Sequence, residues 1–381
     1  MNNNSIPNGI LKKLEQREKE SSLRQLSLPK EGVDFFSNDY LGFAKNKNIY
    51  TKAASKLEQL DIPLNSSTGS RLLSGNSILH LEVEEQIAQF HQAESALLFN
   101  SGYDANLGFF ASVPQRGDII FYDEYIHASI RDGLNLSLAN SFKYKHNNLE
   151  DLKQKVARQN TVGDIFVVTE SVFSMDGDTP DLKTLVQFCN NNGVFLVVDE
   201  AHAIGIFGNN GGGLLQEKNL HQQVFARVVT FGKGLGAHGA VVLGSEKLKQ
   251  YLINFARSLI YTTSISPHAV ATISSAYQEL LHTKERERLQ QNIHFFRNQL
   301  DVLNLSSYFN NSNSAIQSCI ISGNHKVKLV AEKLQQQQFL VKAILSPTVP
   351  KGKERLRFCL HSYNTEEEIF SVLQLLREVI K

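Results

Sequence analysis

Cysteine is scarce: Cys189, Cys319 and Cys359 are the whole complement of a 381-residue chain. They are odd in number, far apart and outside any metal-ligand spacing. No disulfide framework and no metal site is expected, and buried small hydrophobes in a reducing compartment are the natural reading. An excess of one charge is missing as well, since 39 lysines and arginines face 38 acidic residues. That balance gives no electrostatic reason to expect nucleic acid or an anionic membrane as partner, so any anionic ligand has to be caught by local groups. No apolar run is long enough to span a bilayer. The start, Met1-Asn2-Asn3-Asn4-Ser5-Ile6-Pro7, lacks the charged beginning and apolar core of a signal peptide. A cytoplasmic protein is expected. There is no internal repeat, and the glutamine run at 335–338 reads as a solvated helix end.

What is present is enough apolar material, 41% of the residues, for more than one ordinary core. Residues 11–26 are charged and amphipathic, like a surface helix leading into the fold. From about 61 to 264, short apolar runs at 96–99, 118–121, 164–169, 194–199, 226–231 and 239–243 alternate with helical patterns. One such pattern, Leu182, Leu185, Val186 and Cys189, lies between two runs and is followed by Gly193, placed to end it. The alternation predicts an α/β fold: a mostly parallel sheet with helices on both faces. Beyond 264 a long helix precedes strands near 315–321, 339–344 and 355–360. A final helix is opened by the capping box Thr365-Glu366-Glu367-Glu368. The expected division is an arm and the start of the small domain at 1–60, a large domain at 61–270, and a long helix with a small α+β domain at 271–381.

The run at 194–199 delivers Asp199 to its C-terminal end, followed by Glu200, Ala201 and His202. In an open parallel sheet ligands bind at that end. The run 226–231 leads into Gly232-Lys233-Gly234-Leu235-Gly236. A lysine set there is desolvated and suited to imine formation. A phosphate loop of the Walker type is excluded, because Gly234 and not serine or threonine follows Lys233. Pyridoxal phosphate needs an imine-forming lysine, an anionic partner for its pyridine nitrogen and a phosphate cradle. Lys233 and Asp199 supply the first two. Ser101-Gly102-Tyr103, after the run 96–99 and opening a helix, offers backbone N–H groups for the third. His127 follows the run 118–121 and reaches the same edge, as does the polar loop from Glu170 to Asp178.

These residues resemble the α-oxoamine synthases among the fold-type I pyridoxal phosphate enzymes. The resemblance covers nearly the whole chain. It runs through Phe36-Ser37-Asn38-Asp39-Tyr40-Leu41-Gly42, Thr68-Gly69-Ser70-Arg71-Leu72-Leu73-Ser74-Gly75, Thr169-Glu170-Ser171-Val172-Phe173-Ser174-Met175-Asp176-Gly177, Val198-Asp199-Glu200-Ala201-His202, Thr230-Phe231-Gly232-Lys233 and the segment from Phe255 to Ser264. It implies an aminotransferase-like fold, with Lys233 carrying the cofactor, Asp199 on the pyridine nitrogen and His127 stacked on the ring. His202 and Ser174 would serve the ring oxygen, with Glu170 nearby. Gly102, Tyr103 and Thr230 would hold the phosphate, joined by Thr262 or Thr263 from the second subunit of a homodimer. Asn38 and Arg357 would grip the amino-acid carboxylate, and Arg24 and Thr348 would make further substrate contacts. The catalytic group would be Lys233, His127, Asp199 and His202.

The activity implied is a decarboxylative condensation of L-alanine with a pimeloyl thioester, on coenzyme A or an acyl carrier protein, in biotin synthesis. Other members use glycine with an acetyl group or serine with a palmitoyl group. In two places the chain departs from the family pattern. Leu345 stands where an arginine is common, which bears on the acyl donor, and Ala203 stands where a glycine commonly follows the histidine. A non-catalytic subunit is disfavoured by the joint presence of Lys233, Asp199, His127 and His202. A nucleotide-binding Rossmann protein is disfavoured because Gly232, Gly234 and Gly236 follow a late strand and the next run, 239–243, does not itself end on the expected acidic residue.

Overall fold

A computed structural model describes residues 6–24, 26, 28, 31–159 and 161–380. Met1 to Ser5 and Gln25, on which parts of the leader and arm expectations fall, lie outside the described residues. The arm helix spans Asn8–Lys19 and ends earlier than its amphipathic pattern suggests; none of its residues is buried.

Two units form. The larger holds residues 38–174 and 178–290; the smaller takes the chain up to Ser37, Met175–Gly177 and everything from Gln291 on. The divisions therefore fall at 37/38 and 290/291, where 60 and 270 were expected from the sequence. The reason is packing. The Lys47–Glu58 helix buries Ile49, Ala53 and Leu57, the Pro267–Leu280 helix packs on it, and Lys56 Nζ reaches Ser274 Oγ at 3.1 Å.

The larger unit is built on seven strands: β1 (Ser95–Phe99), β2 (Ile119–Asp123), β3 (Asn140–Tyr144), β4 (Ile165–Glu170), β5 (Phe195–Asp199), β6 (Ala226–Thr230) and β7 (Ala240–Gly244). Their order is β1-β7-β6-β5-β4-β2-β3, and β7 alone runs antiparallel to its neighbours. β1, β5 and β6 are buried at nearly every position, which is why they read as continuous apolar runs. β3 was not anticipated. It is an edge strand whose Asn140, Lys143 and Phe142 face solvent, so it carries little apolar signal. The crossover Leu182–Asn191 begins at Asp181, whose side chain accepts from Thr184 N at 3.2 Å. One packed cluster around Phe99, Phe109, Phe110, Val168 and Val228 cements sheet to helices.

In the smaller unit, β8 (Ile316–Ile320), β9 (Lys342–Ile344) and β10 (Arg355–Cys359) form an antiparallel sheet in the order β9-β10-β8. Val33–Asp34 pairs separately, in parallel, with Phe339–Leu340. Phe35, Phe296, Phe309 and Phe358 make its aromatic core. The expected capping box is present: Glu368 N donates to Thr365 Oγ1 at 3.1 Å and Thr365 N to Glu368 Oε2 at 2.8 Å.

Gly236, three residues past Lys233, has φ 57°, and a Cβ there would press on Ala44 N and the Phe43 carbonyl carbon. Gly236→Ala adds left-handed strain to overpacking and is expected to destabilise the larger unit by about 2–4 kcal/mol, read as a lower denaturant midpoint.

Candidate active site

Each parallel strand of the larger unit ends at the same sheet edge, and the polar side chains expected from the sequence stand there. Asp199 closes β5, Glu170 closes β4 and Thr230 closes β6, while Lys233 and His202 follow within a few residues. They line a cavity of about 260 Å³ with Asn38, Gly102, Tyr103 and His127. Nine of the predicted residues thus meet in one place.

Asp199 is 5% exposed, and both its oxygens are held: Asn106 Nδ2 donates to Oδ2 at 2.9 Å and Ala201 N to Oδ1 at 2.9 Å. The same Asn106 amide donates to Ser129 Oγ at 3.0 Å, and Ser129 Oγ lies 2.8 Å from His127 Nδ1. His127 is the N-cap of the Ala128–Leu136 helix, so its Nδ1 also accepts from Ser129 N at 3.2 Å. A ring nitrogen that accepts carries no proton, which leaves Nε2 as the N–H. Burial agrees: it lowers the His127 pKa, against Asp199 and with Lys233. Glu170 is driven the other way. Burial first, then Asp199, raises its carboxyl well above the ordinary range, and Oε1 has no hydrogen-bond partner.

His202 Nδ1 lies 2.7 Å from Tyr40 Oη, which also donates to Asn38 Oδ1 at 3.1 Å. Lys233 Nζ donates to Thr230 Oγ1 at 3.3 Å. Gly102 opens the Gly102–Ser112 helix behind the N-cap Ser101, and a Cβ on it would collide with the Thr230 methyl. Backbone N–H groups are therefore presented at close quarters to any anion there. A buried carboxylate, an amine, a glycine cradle at a helix N-terminus and unpartnered oxygens on Glu170 and Asn106 fit pyridoxal phosphate.

The remaining predicted residues lie elsewhere. Ser174 follows β4 beyond the cavity lining. Thr262 and Thr263 sit against Asn100, whose Nδ2 donates to Thr262 Oγ1 at 3.3 Å and to the Thr263 carbonyl at 2.8 Å. Arg24 and Thr348 line a cavity of about 620 Å³ in the smaller unit, alongside Leu345. Arg357 is buried in β10, with Nη1 2.9 Å from Cys359 Sγ. Sequence reasoning missed Asn106, Ser129 and Tyr40 as site members. The one signal for Asn106 was a polar residue within the apolar Leu107-Gly108-Phe109-Phe110 surroundings of its helix; it is 2% exposed.

The aminotransferase class I and II family model matches residues 30–375. An 8-amino-7-oxononanoate synthase of Emericella nidulans is 42% identical over 383 residues, which covers 95% of this chain and 92% of that protein. The crystal structure of 8-amino-7-oxononanoate synthase from Francisella tularensis is similar with a TM-score of 0.78 and 31% identity, covering 91% of this chain and 97% of that one. A serine palmitoyltransferase from S. paucimobilis, with a bound pyridoxal phosphate–myriocin aldimine, has a TM-score of 0.87 and 26% identity, covering 98% and 96%. Likeness over almost the full length of acyltransferases leads to one conclusion: the chain belongs to the aminotransferase class I and II family, as a pyridoxal phosphate-dependent acyltransferase similar to 8-amino-7-oxononanoate synthase.

Proposed function

We propose that the chain condenses L-alanine with a pimeloyl thioester, releasing the thiol and CO₂, to form 8-amino-7-oxononanoate in biotin synthesis. What carries this reading is the convergence of Lys233, Asp199 and the Gly102 cradle in one cavity at the sheet edge. The 42% identity to the Emericella enzyme supports the choice of substrates.

When bound, pyridoxal phosphate supplies an electron sink for the charge left at the substrate α-carbon. Lys233 is the amine that would carry the group, and its Nζ, held 3.3 Å from Thr230 Oγ1, would be the base for the α-proton. Asp199, fixed by Asn106 and Ala201, holds positive charge at the ring nitrogen. His127, whose Nδ1 is engaged by Ser129, would pack on the ring of the bound group. His202, steadied by Tyr40, and Ser174 would serve the ring oxygen, while Gly102, Tyr103 and Thr230 would hold the phosphate. Asn38 is one contact for the amino-acid carboxylate, and the planar fork of Arg357 suits the same group. Arg24 and Thr348 contact the acyl donor, carried on coenzyme A or an acyl carrier protein. The α-carbon attacks the thioester carbonyl, the thiolate leaves, and the resulting β-keto acid loses CO₂.

The enzyme works in the cytoplasm as a homodimer whose second copy brings Thr262 or Thr263 to the phosphate. Supporting this, Leu73 and Tyr261 stand 84% and 72% exposed. No described helix is long and apolar enough to cross a membrane. A second reading, condensation of serine or glycine, is favoured by the TM-score of 0.87 to serine palmitoyltransferase. Adding L-alanine, glycine or L-serine to the holoenzyme separates the two: the visible absorbance is expected to respond most to alanine, and a preference for serine or glycine would move the substrate.

Lys233→Ala is expected to abolish the visible cofactor absorbance and turnover together. Asp199→Ala should still load cofactor but slow α-proton exchange in deuterated buffer by about 10²–10³-fold. Burial pushes the Glu170 carboxyl well above its ordinary range, and Glu170→Gln reproduces the shape and charge of the protonated form. Its kcat/KM is expected to stay within a few-fold of the native enzyme, and a collapse would show that an ionised Glu170 is required.

A further inference from the structure

His146 does not line the cavity, yet both its ring nitrogens meet carboxylates. Nδ1 lies 2.9 Å from Asp123 Oδ1 and Nε2 lies 2.8 Å from Asp178 Oδ2. The ring stacks on Tyr125 with centroids 4.4 Å apart and takes the Phe173 ring edge-on at 4.5 Å. Asp123 is fully buried at the end of β2, and its other oxygen accepts from Asn147 N at 2.8 Å. Asn147 Nδ2 in turn donates to Asp178 Oδ2 at 2.8 Å. Two acceptors on opposite sides require two N–H donors, which only the imidazolium provides. Burial works against that charge, but hydrogen bonds to Asp123 and Asp178 outweigh it and raise the His146 pKa to about 10. The other titratable groups around it are Glu124, whose Oε1 accepts from His146 N at 3.1 Å, Tyr144, whose phenol is pushed up by burial and Asp123, and the exposed Lys145 beside it.

The contact joins two segments that reach the cavity. Asp123 anchors the turn that leads through Tyr125, whose N–H donates to Asp123 Oδ1 at 2.8 Å, to His127. Asp178 closes the loop that leaves β4 at Glu170 and carries Phe173 and Ser174; Phe173 N donates to the Asp178 carbonyl at 3.0 Å. We infer that His146 is a positioning residue: its imidazolium, gripped by Asp123 and Asp178, clamps the His127 turn to the loop after Glu170 and so fixes the face of the cavity that His127 and Glu170 present. Its consequence for the cofactor rests on the functional reading above.

The test is nitrogen NMR of the holoenzyme labelled with ¹⁵N-histidine, with the His146 signal identified by its loss in His146→Gln. Both His146 ring nitrogens are expected to stay protonated from about pH 6 to about pH 9. In His146→Gln the His127 signal is expected to move, and pyridoxal phosphate to leave on dialysis roughly tenfold faster or more. Asp178→Asn, altered at a partly exposed side chain, should act in the same direction and carries the test if His146→Gln does not fold. A His146 signal that titrates near its ordinary value of 6.5 overturns the clamp. So does native cofactor retention with an unmoved His127 signal in the folded variants. The histidine signals exist with or without cofactor, so a chain that never bound pyridoxal phosphate would defeat the functional reading and leave the clamp measurable.

Discussion

The cavity depends on a carboxylate that the fold has taken out of water and then compensated. Asp199 gives up solvent at the end of β5 and receives two N–H donors, from Asn106 and Ala201. A buried carboxylate without such partners would neutralise itself. The Asn106 amide also ties Asp199 to Ser129 and thereby to His127, so one side chain on the Gly102–Ser112 helix sets two members of the site. The helix whose N-terminus offers the anion cradle is the helix that holds the carboxylate in place.

Around that centre, chemically similar groups meet different surroundings. Glu170 and Asp199 both end strands of the sheet, yet burial raises the Glu170 carboxyl well above its ordinary range while Asp199 is hydrogen-bonded through both oxygens. Burial lowers the pKa of His127, while the two carboxylates flanking His146 hold it charged. For the second histidine the linkage is explicit. Its folded value of about 10 lies above its ordinary 6.5, so its contribution to stability is complete below about pH 6.5 and is lost as pH rises through about 10. Such division of labour between chemically alike residues is how one fold keeps acids, bases and fixed charges apart.

Much of this was legible in the sequence because buried parallel strands write continuous apolar runs, and the residue after each run falls at one edge. Asp199, Lys233, Glu170 and Gly102 were found that way. β3 was not, because an edge strand with Lys143 and Asn140 turned to water has no apolar run to read. Asn106 and Tyr40 were missed for another reason: each acts through a partner far away in sequence, Asp199 and His202 respectively, and no local pattern announces such a contact; Ser129 acts on the nearby His127 but is tied into the site by the distant Asn106. The unit boundaries slipped because helix–helix burial between Lys47–Glu58 and Pro267–Leu280 is a long-range fact.

The most direct measurement is borohydride reduction of the holoenzyme followed by peptide mass spectrometry, which fixes the pyridoxyl group on whichever lysine bears it. A single labelled peptide is expected, the one containing Lys233, with labelling lost when L-alanine is present in excess. Label on another lysine, or no stable label at all, would contradict it.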